Sequence, residues 1–254
     1  QATTTPAVSR AVIGKSVQGR AIEAVSYGTG DTHLLFVGGI HGGYEWNTSL
    51  LAYELMDYLD ENPDAIPDGV KVSVIPVLNP DGLYNVIGKE GRFVASDVPA
   101  AESETIPGRF NANDVDLNRN FDCDWQASGM WRQTKVSGGT SAFSEAESQA
   151  MRDYINAHDP EAVVVYYSAA GGVYASNCHD GVLPETLKLT NTYAKASGYP
   201  ASEEFDFYEI TGDMVNWLAK EKIPAISVLL TDHKNTEWEK NRKGIEALLE
   251  AIAD

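Results

Sequence analysis

Positive charge is scarce in this chain of 254 residues, where 19 lysines and arginines stand against 37 aspartates and glutamates. The formal net charge at pH 7 is therefore −18. A surface this acidic repels phosphate backbones and anionic lipids, so we expect neither a nucleic acid partner nor attachment to a membrane surface. Long apolar runs are also missing: none approaches the roughly 18 residues of a spanning helix, so no membrane-spanning segment is expected.

Cysteine is nearly absent. Cys123 and Cys178 are too few for a disulfide scaffold or for a cysteine-based zinc site. They can form one bridge or remain two buried thiols, and the sequence barely separates these alternatives.

Low-complexity linkers and internal repeats are absent beyond the N-terminal segment. Residues 1–9 are polar and rich in threonine, which is typical of a flexible tail or of the start of a mature secreted chain. We therefore predict a flexible tail over 1–9 and a single domain over 10–254.

Short apolar runs alternate with segments of helical spacing. Runs rich in Val, Ile and Leu predict buried strands over 21–27, 33–40, 70–78, 162–168 and 225–230. Helical periodicity follows residue 50 and covers 145–157, 183–197, 213–221 and 237–253. This alternation predicts an α/β domain with helices on both faces of a sheet, and ligands at the carboxyl ends of its strands. The stretch 79–143 has little periodicity and is expected to be a long functional loop.

Three clusters carry chemically useful side chains. His41 and Glu45 follow the strand 33–40 and can converge on one cation, although a helix N-terminus stabilised by Glu45 explains them equally well. Arg109, Asn118 and Arg119 suit a carboxylate, whereas Asx turns alone would account for the loop. The segment 208–217 is, taken alone, a capped helix start.

The order of these features along the chain resembles that of the zinc carboxypeptidase family. His41 and Glu45 come first, followed by Asn-Pro-Asp-Gly at 79–82, Asp-Leu-Asn-Arg-Asn-Phe at 116–121 and the segment 208–217. The resemblance extends from about residue 13 to the C-terminus. It implies one α/β domain with a mixed, mostly eight-stranded sheet. It also implies metal-dependent hydrolysis by a zinc-bound water at the C-terminus of a peptide or in a cell-wall peptide.

The resemblance assigns roles residue by residue. His41 and Glu45 match the first two zinc ligands, with three residues between them where most members have two. Arg109 matches the catalytic arginine that polarises the scissile carbonyl. The other matches concern substrate: Asn118 and Arg119 grip the terminal carboxylate, the mobile catalytic Tyr208 closes over the bound residue, and Val215 lines the specificity pocket. A valine there favours an apolar or aromatic terminal side chain, although the acidic surface favours a basic one.

Two further positions depart from the family pattern. Tyr167 stands at the position of the third zinc ligand, normally a histidine, directly before Ser168, which we count among the substrate-binding residues. Leu229 stands where the catalytic glutamate belongs. Neutral tyrosine is a poor substitute for imidazole, and leucine cannot transfer a proton. His179, His233, Asp232 and Glu209 are the candidates for a replacement.

Two functions follow from these residues. The first is a zinc-dependent carboxypeptidase with an altered metal site. The second is a non-catalytic binder of amino acids or peptide C-termini, whether a natural pseudoenzyme or an engineered variant. We expect a secreted or extracytoplasmic protein, because the loops that carry Cys123 and Cys178 should lie near each other and favour a bridge. We also expect a monomer.

Overall fold

The most apolar runs of the chain lie side by side in the middle of one sheet. The computed structural model describes residues 8–253. The main sheet has eight strands in the order β1-β2-β4-β3-β7-β10-β8-β9. These strands are β1 Ser9–Lys15, β2 Ala21–Tyr27, β3 Thr32–Val37, β4 Val70–Ile75, β7 Ala162–Ser168, β8 Gly172–Ala175, β9 Ala201–Ser202 and β10 Ala225–Leu230. A separate hairpin pairs β5 Ser128–Trp131 with β6 Thr134–Ser137.

The sheet is mixed, as predicted. Strands β4, β3, β7 and β10 run parallel. The pairs β1–β2, β2–β4 and β10–β8 are antiparallel, and β9 runs parallel to β8. Every residue of β7 and β10 is buried, which is the pattern of parallel strands covered on both faces.

Helices cover both faces of the sheet. The helices are α1 Trp46–Glu61, α2 Pro80–Ile87, α3 Glu102–Thr105, α4 Ala146–His158, α5 Pro184–Ser197, α6 Met214–Lys220 and α7 Trp238–Ala253. Helices α1, α5 and α7 pack in one apolar core, and α4 and α6 pack in the core on the opposite face. Within residues 8–253, every helix is too short or too polar to cross a membrane. The predicted α/β class and eight-stranded sheet are confirmed.

Several predicted boundaries need correction. The strand expected over 33–40 ends at Val37, because Gly38 and Gly39 turn the chain away from the sheet, and Gly39 adopts a φ of +64°. The strand expected over 70–78 ends at Ile75, before a proline that lacks the N–H of a sheet ladder. Residues 1–7 of the predicted tail lie outside the described residues, and β1 already begins at Ser9.

The long segment 79–143 contains more regular structure than its weak periodicity predicts. Helix α2 begins there because Asn79 caps it: its Oδ1 accepts a hydrogen bond from Gly82 N at 2.8 Å, and Pro80 occupies the first turn. The short helix α3 and the hairpin β5–β6 also lie in this segment.

Cys123 and Cys178 form a disulfide with their Cα atoms 6.2 Å apart, which confirms the predicted bridge. Both side chains are buried against Ala219 of α6. The bridge therefore joins the segment after β8 to the loop that follows Asn-Arg-Asn-Phe.

This bridge should contribute strongly to stability, because it closes a loop of 55 residues. The chain-entropy relation gives about 4 kcal/mol for a loop of this size. We therefore expect the urea midpoint of the chain to fall on addition of a reductant. A variant with Cys123→Ser and Cys178→Ser should show the lower midpoint with or without reductant. Equal midpoints for the oxidised and reduced wild-type chain would contradict this expectation.

A buried histidine makes stability depend on pH. His33 in β3 is 1% exposed, and its Nε2 lies 2.8 Å from Ser73 Oγ. Burial, aided by the charge of Lys71, lowers the pKa of His33 to about 4 from 6.5. As the pH falls, His33 therefore becomes protonated at a higher pH in the unfolded chain than in the folded chain. The stabilisation is complete above pH 6.5 and is lost as the pH falls towards 4.

We expect His33→Gln, which can still reach Ser73, to lack this pH dependence. Between pH 7.5 and 4.5, the wild-type free energy of unfolding should fall by about 2 to 3 kcal/mol more than that of the variant. Urea denaturation at both pH values measures the difference. Parallel curves for the two proteins would show that His33 titrates normally.

Candidate functional site

His41 and Glu45 lie between the end of β3 and the start of α1. The turn at Gly38 and Gly39 brings the backbone so close to α1 that a Cβ on Gly39 would stand 2.4 Å from Ser49 Oγ. The side chains of His41 and Glu45 are each 3% exposed. His41 Nδ1 lies 3.0 Å from Glu45 Oε1, yet no described residue forms a hydrogen bond with this nitrogen. The two atoms are thus close enough to bind one cation together.

A buried carboxylate fixes the other side of the imidazole. Asp116 Oδ1 accepts from His41 Nε2 at 3.2 Å, and its Oδ2 accepts from Arg109 Nε at 3.0 Å and Nη2 at 2.8 Å. Burial opposes ionisation, but the positive charge of Arg109 and the contact with His41 hold the pKa of Asp116 well below its usual range. A carboxylate behind a histidine ligand orients the ring and raises its basicity. Sequence analysis assigns no role to Asp116, although it is the first residue of the string 116–121.

Arg109 extends from Asp116 towards Glu45. Its Nη1 lies 3.7 Å from Glu45 Oε1, and the guanidinium carbon lies 4.5 Å from the centre of the Trp131 ring. Burial disfavours the charge of Glu45, but His41 and Arg109 outweigh that effect and lower its pKa. Glu45 is therefore ionised at neutral pH, and Arg109 is close enough to share its charge.

Tyr167 does not face His41 as a ligand. Its hydroxyl donates to Asn118 Oδ1 at 3.0 Å, and the rings of Tyr167 and His41 lie 5.8 Å apart, centre to centre. Burial raises the pKa of Tyr167 well above 10, with a smaller contribution from Asp213. Tyr167 is thus a neutral phenol whose proton is already engaged with an amide oxygen.

Leu229 lies beside Tyr167, because β7 and β10 are parallel and in register at these two residues. Its side chain is 7% exposed and faces the same open space as Glu45 and Ser168. Leu229 thus occupies the wall of the site with a group that exchanges no proton.

The residues present do not complete a catalytic zinc site. Zinc in such sites takes three protein ligands, and among the described residues at the family's three ligand positions only His41 and Glu45 carry suitable atoms. Within residues 8–253, the groups of three metal-binding side chains are limited to Cys123, Cys178 and His179, where the disulfide removes two of the ligands.

Two adjoining cavities open in front of these residues. The first, of about 490 Å³, is lined by Asn118, Val215 and Tyr208 as well as by His41 and Glu45. The second, of about 590 Å³, is lined by Arg109 and His233. Both are bordered by Glu45, Ser168, Phe205, Tyr208 and Leu229. The structure thus gathers most of the predicted site residues around one divided cleft.

Arg119 is placed differently from the other predicted substrate contacts. It is 1% exposed and lines neither cavity. Its Nη1 donates to the carbonyl of Asn118 at 2.7 Å and its Nη2 to that of Met130 at 2.8 Å. Its Nε is buried without a partner among the described residues. Tyr208 lies beside it, with 5.8 Å between the guanidinium carbon and the ring centre.

Ser168 links Glu45 to a nearby histidine. Its backbone N–H donates to Glu45 Oε2 at 3.1 Å, and its Oγ lies 2.7 Å from His233 Nδ1. The other nitrogen of His233 lies 3.0 Å from the hydroxyl of Tyr44. Both nitrogens of His233 are therefore engaged, and Ser168 borders the cleft mainly as a structural link to Glu45.

The other three candidates for a replacement residue lie outside the metal site. His179 is exposed and pairs with Asp124 at 2.9 Å. Asp232 accepts hydrogen bonds from the backbone of the loop after β10. Glu209 is an exposed residue at the mouth of the first cavity.

Comparison with known proteins agrees with this geometry. The zinc carboxypeptidase family matches the chain over residues 1–247. YqgT of Bacillus subtilis (strain 168) is 26% identical over 227 residues, and a zinc carboxypeptidase of Simulium vittatum is 28% identical over 156 residues. These matches cover 80% and 58% of this chain but only 60% and 49% of the relatives.

Solved structures show the same fold. Bovine thrombin-activatable fibrinolysis inhibitor, solved in complex with tick carboxypeptidase inhibitor, superposes with a TM-score of 0.73 at 17% sequence identity. The match covers 96% of this chain and 88% of the bovine chain. At this identity the likeness establishes the fold alone, whereas the family match covers nearly the whole sequence. The chain therefore belongs to the zinc carboxypeptidase family.

Proposed function

We propose that this chain binds the C-terminal residue of a peptide, or a free amino acid, in the first cavity without hydrolysing it. The observation that carries the proposal is the pair Tyr167 and Leu229, adjacent in register on β7 and β10. A family member needs a metal ligand at the first position and a proton-transferring carboxylate at the second. Neither side chain can supply what hydrolysis requires.

The wall of the first cavity, by contrast, has a hydrogen-bond donor available for a carboxylate. Asn118 Oδ1 accepts from Tyr167 Oη at 3.0 Å and from Met214 N at 3.2 Å, which fixes the orientation of its amide. Its Nδ2 has no acceptor among the described residues, and the side chain lines the first cavity. Arg119 Nη1 donates to the backbone carbonyl of Asn118 at 2.7 Å. This arrangement supports Asn118 as the primary contact of the ligand's carboxylate, with Arg119 supplying the charge.

The proposed setting is extracytoplasmic. The disulfide between Cys123 and Cys178 supports it, because such bridges persist in oxidising compartments and are rare in the cytosol. We propose that the protein acts there as a monomer on peptide ends.

A second candidate function is metal-dependent hydrolysis at an altered site. One observation favours it: His41 Nδ1 is buried without a hydrogen-bond partner in the described part of the chain and lies 3.0 Å from Glu45 Oε1, while Asp116 contacts the other ring nitrogen. This is the arrangement expected of two ligands and a supporting carboxylate. The lack of a third ligand and of a general base places it second.

Removing the side-chain N–H donors of Asn118 should test the proposed binding. In Asn118→Asp an oxygen still accepts from Tyr167 and Met214, but the N–H donors are replaced by a negative charge. We expect at least about 10-fold weaker binding of a blocked dipeptide with a free carboxylate, measured by isothermal titration calorimetry.

The rim of the same cavity provides the control. Asn177→Asp adds the same charge at an exposed position and should change the affinity far less. The C-terminal amide of the dipeptide should not bind the wild-type chain, and chromatography should recover the acid uncut. Equal binding of acid and amide would show that the carboxylate is not recognised.

Restoring the two altered positions should restore turnover. The double variant Tyr167→His with Leu229→Glu places a histidine and a glutamate side by side where the family has its ligand and base. We expect it to bind zinc stoichiometrically and to hydrolyse a blocked dipeptide in a chelator-sensitive way. The wild-type chain should be slower by at least about 10²- to 10⁴-fold.

Each single variant separates metal binding from catalysis. Tyr167→His should gain metal without comparable turnover, and Leu229→Glu should gain neither. Chelator-sensitive hydrolysis by the wild-type chain at the rate of the double variant would overturn the binding proposal in favour of the second candidate.

A further inference from the structure

A histidine adjoins the disulfide. His179 follows Cys178 directly in the chain, and one of its ring nitrogens lies within 4.8 Å of the sulfurs of both Cys123 and Cys178. Two cysteines are too few for a zinc site made of cysteines alone, but zinc is also bound by two cysteines and one histidine. The three side chains therefore contain a complete set of protein ligands once the bridge between the sulfurs is open.

The distances in this group suit a metal ion. Bonds of about 2.3 Å to sulfur and about 2.0 Å to nitrogen place the ligand atoms of a tetrahedral zinc site about 3.5 to 4 Å apart. The three atoms already lie within 4.8 Å of one another, and the Cα atoms of the cysteines are 6.2 Å apart. In the reduced chain, rotation of a cysteine side chain about its Cα–Cβ bond separates the sulfurs, so the backbone can stay in place.

The imidazole of His179 is already held by a carboxylate. Its Nε2 lies 2.9 Å from Oδ1 of Asp124, the residue after Cys123. When the N–H at Nε2 is donated to this carboxylate, Nδ1 carries the free lone pair. A carboxylate in this position is the usual partner of a metal-binding histidine, because it orients the ring and raises its basicity. His179 and Asp124 are exposed, so a cation from solvent reaches the ring directly.

The charges around the group favour a cation. Lys220 Nζ lies 2.7 Å from Asp122 Oδ2, and Lys222 Nζ lies 2.5 Å from Asp180 Oδ2. Each of these lysines is thus matched by a carboxylate, and Asp124 adds a further negative charge. The field at the sulfurs therefore does not oppose the approach of a divalent metal ion.

We propose that the reduced chain binds one zinc ion through Cys123, Cys178 and His179. A dithiol reductant from the surroundings opens the bridge: it gives two electrons and two protons to the protein disulfide and itself becomes a cyclic disulfide. Zinc then displaces the two thiol protons and bonds to both thiolates and to the imidazole. A water molecule completes the four-coordinate shell.

The metal ion would replace the covalent link between the segment after β8 and the loop that follows Asn-Arg-Asn-Phe. Oxidation closes the site, so zinc binding here reports the redox state of the chain. The inference goes beyond the proposed function and is independent of it, because Cys123, Cys178 and His179 line neither of the two cavities of the cleft.

Cobalt(II) is the probe for this site. Thiolate ligands give cobalt(II) an intense charge-transfer absorption in the near ultraviolet, which ligation by His41 and Glu45 does not produce. The full chain is reduced with a dithiol under argon, freed of reductant by gel filtration and titrated with cobalt chloride. We expect this absorption to saturate at one equivalent in the reduced chain, to be lost on addition of zinc, and to be absent from the oxidised chain. A reduced chain without the absorption would overturn the proposal.

One variant tests the histidine ligand. His179→Asn removes the imidazole but keeps a residue type that tolerates the φ of +67° at this position. Loss of a partner behind a metal ligand already costs about 10- to 100-fold in affinity, so we expect at least about 10-fold weaker cobalt binding by the reduced variant. His158→Asn, at an exposed position outside this group, is the control and should bind like the wild-type chain. Equal affinity of the wild-type chain and His179→Asn would overturn the three-ligand site.

Urea denaturation gives a second measurement, which also covers a reduced chain that is only partly folded without metal. Zinc should raise the urea midpoint of the reduced wild-type chain more than that of reduced His179→Asn, because an ion that binds only the folded state stabilises it. Any zinc bound by His41 and Glu45 affects both proteins alike. Equal increases would therefore refute the site at the disulfide, whatever the dipeptide titrations show for the cleft.

Discussion

The buried carboxylate of Asp116 organises this site. It accepts from His41 on one oxygen and from Arg109 on the other, and its Oδ1 also accepts from the backbone N–H of Asn118 at 3.0 Å. One side chain thus joins the exit of β3, the arginine loop and the first turn of the string 116–121. Such a charge is tolerated at full burial because several donors and an arginine compensate the lost hydration.

The rest of the cleft follows from this arrangement. With Asp116 engaged, the imidazole of His41 has only its Nδ1 left to face Glu45, and Arg109 is directed towards the same carboxylate. The contacts of Asp116 with His41 and Arg109 are therefore independent of the residues at 167 and 229, whereas Tyr167 itself helps to orient Asn118. This explains how a chain can keep the architecture of its family while Tyr167 and Leu229 remove the groups that hydrolysis needs.

Much of the fold is predictable from sequence, because buried parallel strands and amphipathic helices leave strong periodic signals. The β3 exit and the disulfide were accessible for the same reason: glycines mark the turn, and two cysteines fall in loops expected to meet. Asp116 and Asp213 were not. Asp116 acts through His41, which is 75 residues away in the chain, and Asp213 is distinguished by a buried oxygen that has no hydrogen-bond partner among residues 8–253. Neither property has a local sequence signature, since both depend on which distant segments come together.

The disulfide has a consequence for the cleft that goes beyond stability. The carbonyl of Cys123 accepts from Gly212 N at 2.7 Å, one residue before Asp213, and the backbone N–H of Asn177, one residue before Cys178, donates to Asn216 Oδ1 at 2.9 Å. The covalent link therefore anchors both ends of the segment 212–216, whose residues Asp213, Val215 and Asn216 line the first cavity. A ligand meets these residues already in position, so little conformational entropy remains to be lost when it binds. Oxidation of two cysteines that touch no ligand thus sets the rigidity of the recognition surface.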